Sequence, residues 1–194
     1  MVPLTKASFI MQKNETSLAH VFVMYGLMYR SFKADDMYGD TFIHLLEKRF
    51  RKEEMPLLLL AAVLHPVSYS YVSQLRDQSS SSMLEQSFMC SIAVLYYKKF
   101  IGDGAQRVSN VMQQMWKYVK GETVNRLYMA NCSSPFDYWE MSRSVVGEEL
   151  YLLSSFILSI VCQSATCERL FSRFGFFQTN LRNRLKSEKL HALQ

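Results

Sequence analysis

The chain has 194 residues, of which 49% are hydrophobic and 20% charged, and its formal net charge is +5. This composition excludes disorder over the whole chain and fits one globular domain or two small ones. With only 7 Gly and 4 Pro, frequent Met and few alternating apolar and polar segments, it predicts a mostly helical protein.

Several classes of protein are not supported by the residue spacing. No Cys-x-x-Cys pair occurs and the four histidines are scattered, so no zinc finger is predicted. The cysteines are expected to be buried free thiols in a reducing compartment; they are Cys90, Cys132, Cys162 and Cys167. The N-terminus lacks a clear signal peptide. The longest apolar stretches, 56–64 and 150–162, are shorter than the roughly 20 residues of a membrane span and are expected to form core helices.

The first third of the chain predicts three helices. Residues 15–32 are apolar nearly all round, so this helix is expected to be well buried. A second helix over 38–53 is amphipathic, and a third starts near Pro56 and stops before Pro66, because proline commonly ends a helix. The apolar face of the second helix consists of Phe42, Leu45, Leu46 and Phe50.

A serine-rich loop precedes the next helix. Ser82 and Glu85 have the spacing of a capping box, which satisfies free N–H groups at a helix start. The helix is predicted to continue to Phe100, and the glycines at 102 and 104 end it. This serine loop is the one convincing linker, and it divides two helical subdomains or lies within a single bundle.

Four further helices are predicted before residue 163, including the apolar stretch over 150–162. One is closed by Gly121, a weaker one covers 122–132, and the next opens with two serines and Pro135. Gly147 separates that helix from the apolar stretch that follows it. Trp116 and Trp139 lie at helical spacing among apolar residues, so they are expected in the core rather than as stacking platforms for bases.

The C-terminal segment carries most of the net charge. Residues 161–194 hold six basic and two acidic residues, whereas the rest of the chain is nearly neutral. A basic end of this kind either attracts phosphate or an acidic partner, or it is a solvated helix end.

Within that segment, Glu168 lies in an apolar run. Ser164 is suited to cap a helix that extends to about Phe174, with Gly175 as its C-terminal stop. A carboxylate one turn into a helix is stabilised by the exposed N–H groups and the helix dipole. Taken locally, the pattern therefore favours a helix-start role for Glu168 over catalysis.

The longer string "SATCERLFSRFGFFQTNLRNRLKSEKLHAL", residues 164–193, closely resembles the C-terminal signature of hAT superfamily transposases. That signature has a Ser-Ala/Ser-x-x-Glu-Arg-x-Phe-Ser core, a Gly, and Thr-x-x-Arg-Asn-Arg-Leu. The matching residues are Ser164, Ala165, Glu168, Arg169, Phe171, Ser172, Gly175, Thr179, Arg182, Asn183, Arg184 and Leu185.

Two upstream segments also resemble the family. Tyr138 and Trp139 in "SPFDYWEMSR" correspond to its Tyr/Trp-Trp segment. In "LLLLAAVLHPVSY", Pro66 and Tyr69 match a segment that usually reads Leu-Ala-x-x-Leu-Asp-Pro-x-Tyr. His65 departs from the family here, because it stands where Asp is usual.

The resemblance implies a fold and a chemistry. Family members have a DNA-cleaving RNase H-like domain interrupted by a helical insertion, and three carboxylates hold two divalent metal ions. Glu168 matches the third carboxylate. No early strand bearing the other two Asp residues is apparent, because Asp35, Asp36 and Asp40 precede or enter helix-like segments and Asp77 precedes the serine loop.

The expected fold is therefore mainly α: a helical insertion-domain fragment (residues 1–132) plus the C-terminal helices of an RNase H-like transposase (133–194). Catalysis by this chain alone is not expected, and Glu168 is interpreted as vestigial. No cofactor or metal is predicted, since Mg²⁺ or Mn²⁺ belongs to a complete parent enzyme. The alternatives are a part that supplies Glu168 to such an enzyme, and a helical DNA-binding module.

The same resemblance implies dimerisation through the C-terminal region, with a second copy or a related transposase chain as partner. DNA is a further candidate partner, no membrane association is expected, and the family implies a nuclear location. The expected dimerisation residues are Leu170, Phe171, Phe174, Phe177, Leu181, Leu185 and Leu190, for which an intramolecular core is the alternative. The expected phosphate contacts are Arg182, Asn183, Arg184 and Lys186, although Arg182 or Arg184 would alternatively pair with Glu168 or Glu188.

Overall fold

The computed structural model describes residue 5 and residues 16–34, 39–50, 55–78, 84–122 and 132–162. Within these ranges the chain is mainly helical and contains no β-strand, which confirms the predicted fold class at that level. The helices are α1 (Leu18–Lys33), α2 (Gly39–Phe50), α3 (Met55–Leu64), α4 (Pro66–Gln78), α5 (Gln86–Phe100), α6 (Ala105–Lys120), α7 (Pro135–Val146) and α8 (Glu148–Ser159).

Helix α3 is the centre of the packing. Every residue from 58 to 64 is buried, because α3 contacts α1, α4, α5 and α8. The pairs α5–α6 and α7–α8 pack side by side, and α8 also contacts α6. The predicted core helix over 56–64 is thus confirmed, and the one over 150–162 is confirmed as far as Ser159, where α8 ends. The largest fully buried side chains include Trp139, Tyr97, Leu60, Leu64, Met115, Leu150, Leu153 and Ile157.

Several helix ends lie where the sequence predicts them. Gly121 follows α6 with φ +77° in the left-handed region, which glycine adopts without strain. Ser134 caps α7, since its hydroxyl accepts a hydrogen bond from the Asp137 backbone N–H at 3.1 Å. Gly147, with φ +101°, separates α7 from α8.

The start of α5 differs from the prediction. Its N-cap residue is Glu85, whose backbone is extended (φ −68°, ψ 147°) and whose side chain makes no capping bond. Ser82 lies outside the described residues. Because the first helical residue is Gln86, Glu85 precedes the helix and is not at the third helical position that the predicted box requires.

The first two helices are less buried than their composition predicts. In α1 only Ala19, Met24 and Phe32 are buried, and 42% of the Leu27 surface is exposed. In α2, Phe42 stacks on Phe32 at a ring-centroid distance of 5.0 Å, whereas Leu45 is 54% exposed. The reason is position: α1 packs mainly against α2 and α3, and its opposite side faces outward.

The chain bends sharply between α3 and α4. The two helix axes differ by 114°, and Pro66 is the first residue of α4 as well as the reason that α3 stops. Among the described residues no single helix is long and apolar enough to cross a membrane, although Pro56–Leu64 and Pro66–Gln74 would pass that test together as a bent pair.

The predictions for tryptophan and cysteine are confirmed only in part. Trp139 is fully buried, but Trp116 is 41% exposed on α6, with Lys120 Nζ 4.8 Å from its ring centroid. Cys90 is a buried thiol, while Cys132 and Cys162 are thiols that are half-buried. Cys167 lies outside the described residues. Trp116 is exposed because α6 is strongly amphipathic, and the tryptophan lies beside its core-facing stripe rather than on it.

One hydrophobic core joins the two predicted domains. It runs from Ala19 through Tyr97 and Val119 to Trp139 and Leu158. The proposed boundary between residues 132 and 133 stays a prediction. Two predicted helices fall outside the described residues: most of the weaker one over 122–132 and all of the one over 164–174.

Candidate functional site

The residues assigned to catalysis, dimerisation and phosphate contact from the sequence all lie in 163–194, outside the described residues. They are Glu168; Leu170, Phe171, Phe174, Phe177, Leu181, Leu185 and Leu190; and Arg182, Asn183, Arg184 and Lys186. The structure does describe the helices that lead to this segment.

Backbone contacts hold residues 161 and 162, which directly precede the segment 163–194. Val161 forms an antiparallel bridge with Ser17, and the Cys162 backbone N–H donates to the Thr16 carbonyl at 3.3 Å. Burial raises the pKa of the Cys162 thiol to about 11, so this cysteine is a thiol at neutral pH. The last described residue before the signature is thus held at the N-terminus of α1.

A cavity of about 920 Å³ opens beside this anchor. We call it the junction cavity, because the starts of α1, α4 and α7 and the end of α8 meet around it. Its lining residues are Thr16, Ser17, His20, His65, Pro66, Val67, Cys132, Ser133, Ser134, Pro135, Phe136, Tyr138, Leu158, Ser159, Ile160 and Val161.

Two histidines in the cavity wall act as helix caps. Nδ1 of His20 accepts a hydrogen bond from the backbone N–H of Ser17, the N-cap of α1, at 3.1 Å, and it lies 2.9 Å from the Ser17 hydroxyl. His65 precedes α4, and its Nδ1 accepts from the Ser68 backbone N–H at 3.4 Å. Because a backbone N–H can only donate, the neutral form of each ring carries its proton on Nε2.

The two rings also meet each other. Their centroids are 5.3 Å apart in an edge-to-face arrangement. Desolvation, and then the neighbouring His20, lower the pKa of His65 from 6.5 to about 4. His65 is therefore neutral at physiological pH.

This arrangement explains the departure from the family pattern at residue 65. Asp is a strong N-cap because its side-chain oxygen accepts an N–H bond from the first turn. His65 Nδ1 does the same for Ser68, without a buried charge. The capping role could have been predicted from the sequence, because the Asp of the family pattern directly precedes Pro-x-Tyr and so stands in an N-cap position. The contact with His20 could not, because it depends on the tertiary structure.

The histidine pair is poorly arranged for a metal ion. A metal at Nε2 would require the proton on Nδ1, where it would face the N–H groups of Ser17 and Ser68. In the part of the chain that the structure describes, no group of three or more His, Cys, Asp or Glu side chains is placed to hold a metal.

The two upstream segments that resemble the family contact each other at the bend between α3 and α4. Trp139 Nε1 donates to the Leu64 carbonyl at 2.9 Å, and the Tyr118 hydroxyl donates to the Val63 carbonyl at 3.1 Å. The bend leaves these carbonyls without helical partners, so the aromatic donors satisfy them. Tyr69 closes the cluster, since its hydroxyl donates to the Val119 carbonyl at 2.9 Å.

A polar network fixes the corner between α7 and α8. Arg143 donates two hydrogen bonds to Glu148, both at 2.7 Å, which hold the pKa of that carboxyl below its ordinary value. Gln114 on α6 donates to Glu149 at 2.7 Å and accepts from the Leu150 backbone N–H at 2.8 Å. The start of α8 is thus capped from another helix.

Exposed apolar side chains lie on the helices around this corner. They include Trp116, Phe136, Met141, Val145, Leu152 and Phe156. Phe156 on α8 contacts Phe100 on α5 at a centroid distance of 5.0 Å, and Lys99 Nζ lies 5.4 Å from the Phe100 ring centroid. α8 therefore presents an apolar face outward as well as inward.

Comparison with known families identifies the region in which this face lies. Residues 116–194 match the hAT family C-terminal dimerisation region. The match begins at Trp116 and includes all of α7 and α8. No curated protein and no solved structure matches the chain. The hAT resemblance seen in the sequence is thus confirmed for residues 116–194, which match the C-terminal dimerisation region of that family.

Proposed function

Because residues 116–194 match a hAT dimerisation region, we propose that this protein is a transposase-derived dimerisation module. Its partner is a second copy of the chain or a related transposase chain. The match to the dimerisation region is the observation that carries this proposal.

The apolar surface of the matched region supports dimerisation. Leu152 and Phe156 are one turn apart on α8 and both are more than a third exposed. Large exposed apolar side chains that lie together usually mark an interaction surface. The sequence continues with further large apolar residues between 170 and 190, among them the seven dimerisation residues assigned above.

The proposal includes the absence of DNA cleavage by this chain alone. Within the hAT resemblance, Glu168 corresponds to the third carboxylate of an RNase H-like site, and two-metal chemistry requires the complete set. We take the helices as an insertion-domain fragment plus C-terminal helices of such a parent, and the family resemblance supports a nuclear location.

The oligomeric state tests the function. We expect light scattering to give a dimer at micromolar concentration and Phe171→Glu or Phe174→Glu to shift it towards monomer, because a charge would be buried in the interface. Gln113→Glu, on an exposed position of α6 before the matched region, is the charge-matched control. A monomeric wild-type chain with a native helical spectrum contradicts the proposal.

The basic C-terminal segment favours DNA binding as a second candidate function. Six basic residues against two acidic ones in 161–194 would contact phosphates, and their affinity should fall steeply with salt. The test is binding to a DNA duplex at low and high salt, with Arg182→Ala and Arg184→Ala. No binding at low salt excludes this function.

Cleavage is tested separately from binding. If the chain supplies Glu168 to a complete enzyme, an assembly with the missing RNase H-like half should cut DNA with Mg²⁺ or Mn²⁺, and Glu168→Gln should abolish cutting. Unchanged cleavage by the Glu168→Gln assembly rules this role out.

A further inference from the structure

The junction cavity has no role in the proposed dimerisation, yet three helices begin at it. α1 starts after Ser17, α4 at Pro66 and α7 at Pro135, and all three of these residues line the cavity. A helix start carries partial positive charge and N–H groups without helical partners. Three such starts around one cavity make it favourable for a negatively charged group.

His65 lines the cavity and carries one further N–H donor. The residue is 6% exposed, its Nδ1 accepts from Ser68, and its Nε2 therefore carries the proton. Nε2 has no hydrogen-bond partner among the described residues. Among the described residues, the one fully buried side-chain polar atom without a partner is the Tyr97 hydroxyl, so His65 Nε2 is not fully buried, and His65 lines the cavity.

The other walls suit an apolar body. Val67, Phe136, Leu158, Ile160 and Val161 surround the polar groups, and the volume of about 920 Å³ exceeds that of one phosphate. One acidic group lies close by. The Asp137 carboxylate accepts from the Ser133 hydroxyl at 2.7 Å, and hydrogen bonds from Ser133 and Ser134 lower its pKa, so it is charged at neutral pH.

We propose that the junction cavity binds a small phosphomonoester with an apolar or aromatic body. The phosphoryl oxygens accept from His65 Nε2–H and from first-turn N–H groups of α4 and α7, and the body contacts the apolar wall. Proline at the first position of α4 and α7 leaves the N–H groups of Val67 and Phe136 as the next donors.

The probes are inorganic phosphate and phenyl phosphate, added to the full chain labelled with ¹⁵N. We expect the His65 Nε2 proton resonance to move with both, and calorimetry to show tighter binding of phenyl phosphate. His65→Asn keeps an N-cap acceptor but lacks Nε2, and should weaken binding about tenfold or more, the loss expected for one hydrogen bond to a charged group. His44→Asn, on exposed α2, is the matched control.

A second variant works in the opposite direction. Asp137→Asn removes the negative charge near the cavity and leaves the Ser134 cap of α7 in place, so it should strengthen phosphate binding. The proposal is overturned if wild-type protein binds neither probe, if His65→Asn binds both as well as wild type, or if Asp137→Asn binds less tightly while folded. If a DNA oligonucleotide moves the His65 Nε2 proton resonance while neither probe does, the cavity is a nucleic-acid site instead and the proposal is also overturned.

Discussion

At the scale of single residues, His65 shows how a change from the family pattern is accommodated. The residue keeps the capping role that Asp would have, through Nδ1 and the Ser68 N–H. This cap requires the neutral imidazole, because a protonated Nδ1 cannot accept a hydrogen bond. Desolvation and the neighbouring His20 keep the ring neutral by lowering the pKa of His65 to about 4. A cap at this position is therefore coupled to pH.

We expect the free energy of unfolding to fall as pH decreases from 6.5 to 4. In this window the unfolded chain binds a proton at His65 that the folded chain does not, so the stabilisation present above pH 6.5 is lost on acidification. The full effect is at most about 3 kcal/mol. Urea unfolding at several pH values measures it, and His65→Asn should remove most of the slope while His44→Asn retains it. A wild-type slope of zero in this window contradicts the assignment.

The two tryptophans provide a second test at this scale. Trp139→Phe removes the donor to the Leu64 carbonyl and leaves a buried acceptor unsatisfied, which should lower the free energy of unfolding by about 1–3 kcal/mol. Trp116→Phe, at an exposed position, should change it by less than about 0.5 kcal/mol. Thermal or urea unfolding of both variants makes the comparison, and equal losses would contradict it.

At the scale of elements, most helices follow from local residue chemistry. Ser134, Gly121 and Gly147 mark helix ends through side-chain capping or positive φ, which depend on near neighbours. The exposed faces of α1 and α2 were not predictable in the same way. Whether Leu27 or Leu45 is covered depends on which helices pack there, and that is a property of the tertiary structure.

The α7–α8 junction gives the element-scale prediction. At Gly147, φ is +101°, and an added Cβ would lie 2.3 Å from Gln114 Cδ. Gly147→Ala should therefore strain the backbone and displace the Gln114 bonds to Glu149 and Leu150, at about 2–4 kcal/mol. Gly102→Ala, which meets open space, is the control. Equal thermal stability of the two variants would show that the junction tolerates a side chain.

At the scale of the whole molecule, the hydrophobic core contains residues from both sides of the boundary predicted between residues 132 and 133. Trp139 from α7 satisfies a carbonyl of α3, and Leu150, Leu153 and Ile157 from α8 complete the cluster around α3, α5 and α6. The helices before residue 132 thus bury their apolar faces partly on helices after it.

We therefore expect residues 1–132 expressed alone not to form a native core. The removal of α7 and α8 exposes apolar side chains of α3 and α6 and leaves the Leu64 carbonyl without its donor. The measurement is dispersion in a ¹H–¹⁵N spectrum and cooperativity of thermal unfolding, against the full chain as control. A cooperative, well-dispersed fragment would establish two independent domains.

The sequence by itself determined the helical class, most helix ends, the central apolar helices and the hAT resemblance, because these depend on composition, local spacing and a linear motif. Only the tertiary structure decided which apolar faces are covered, that Trp116 is exposed, and that His20 and His65 meet in one cavity. The physical reason is that burial, pKa and the pairing of carbonyls with distant donors depend on contacts between residues far apart in the chain, such as Leu64 and Trp139.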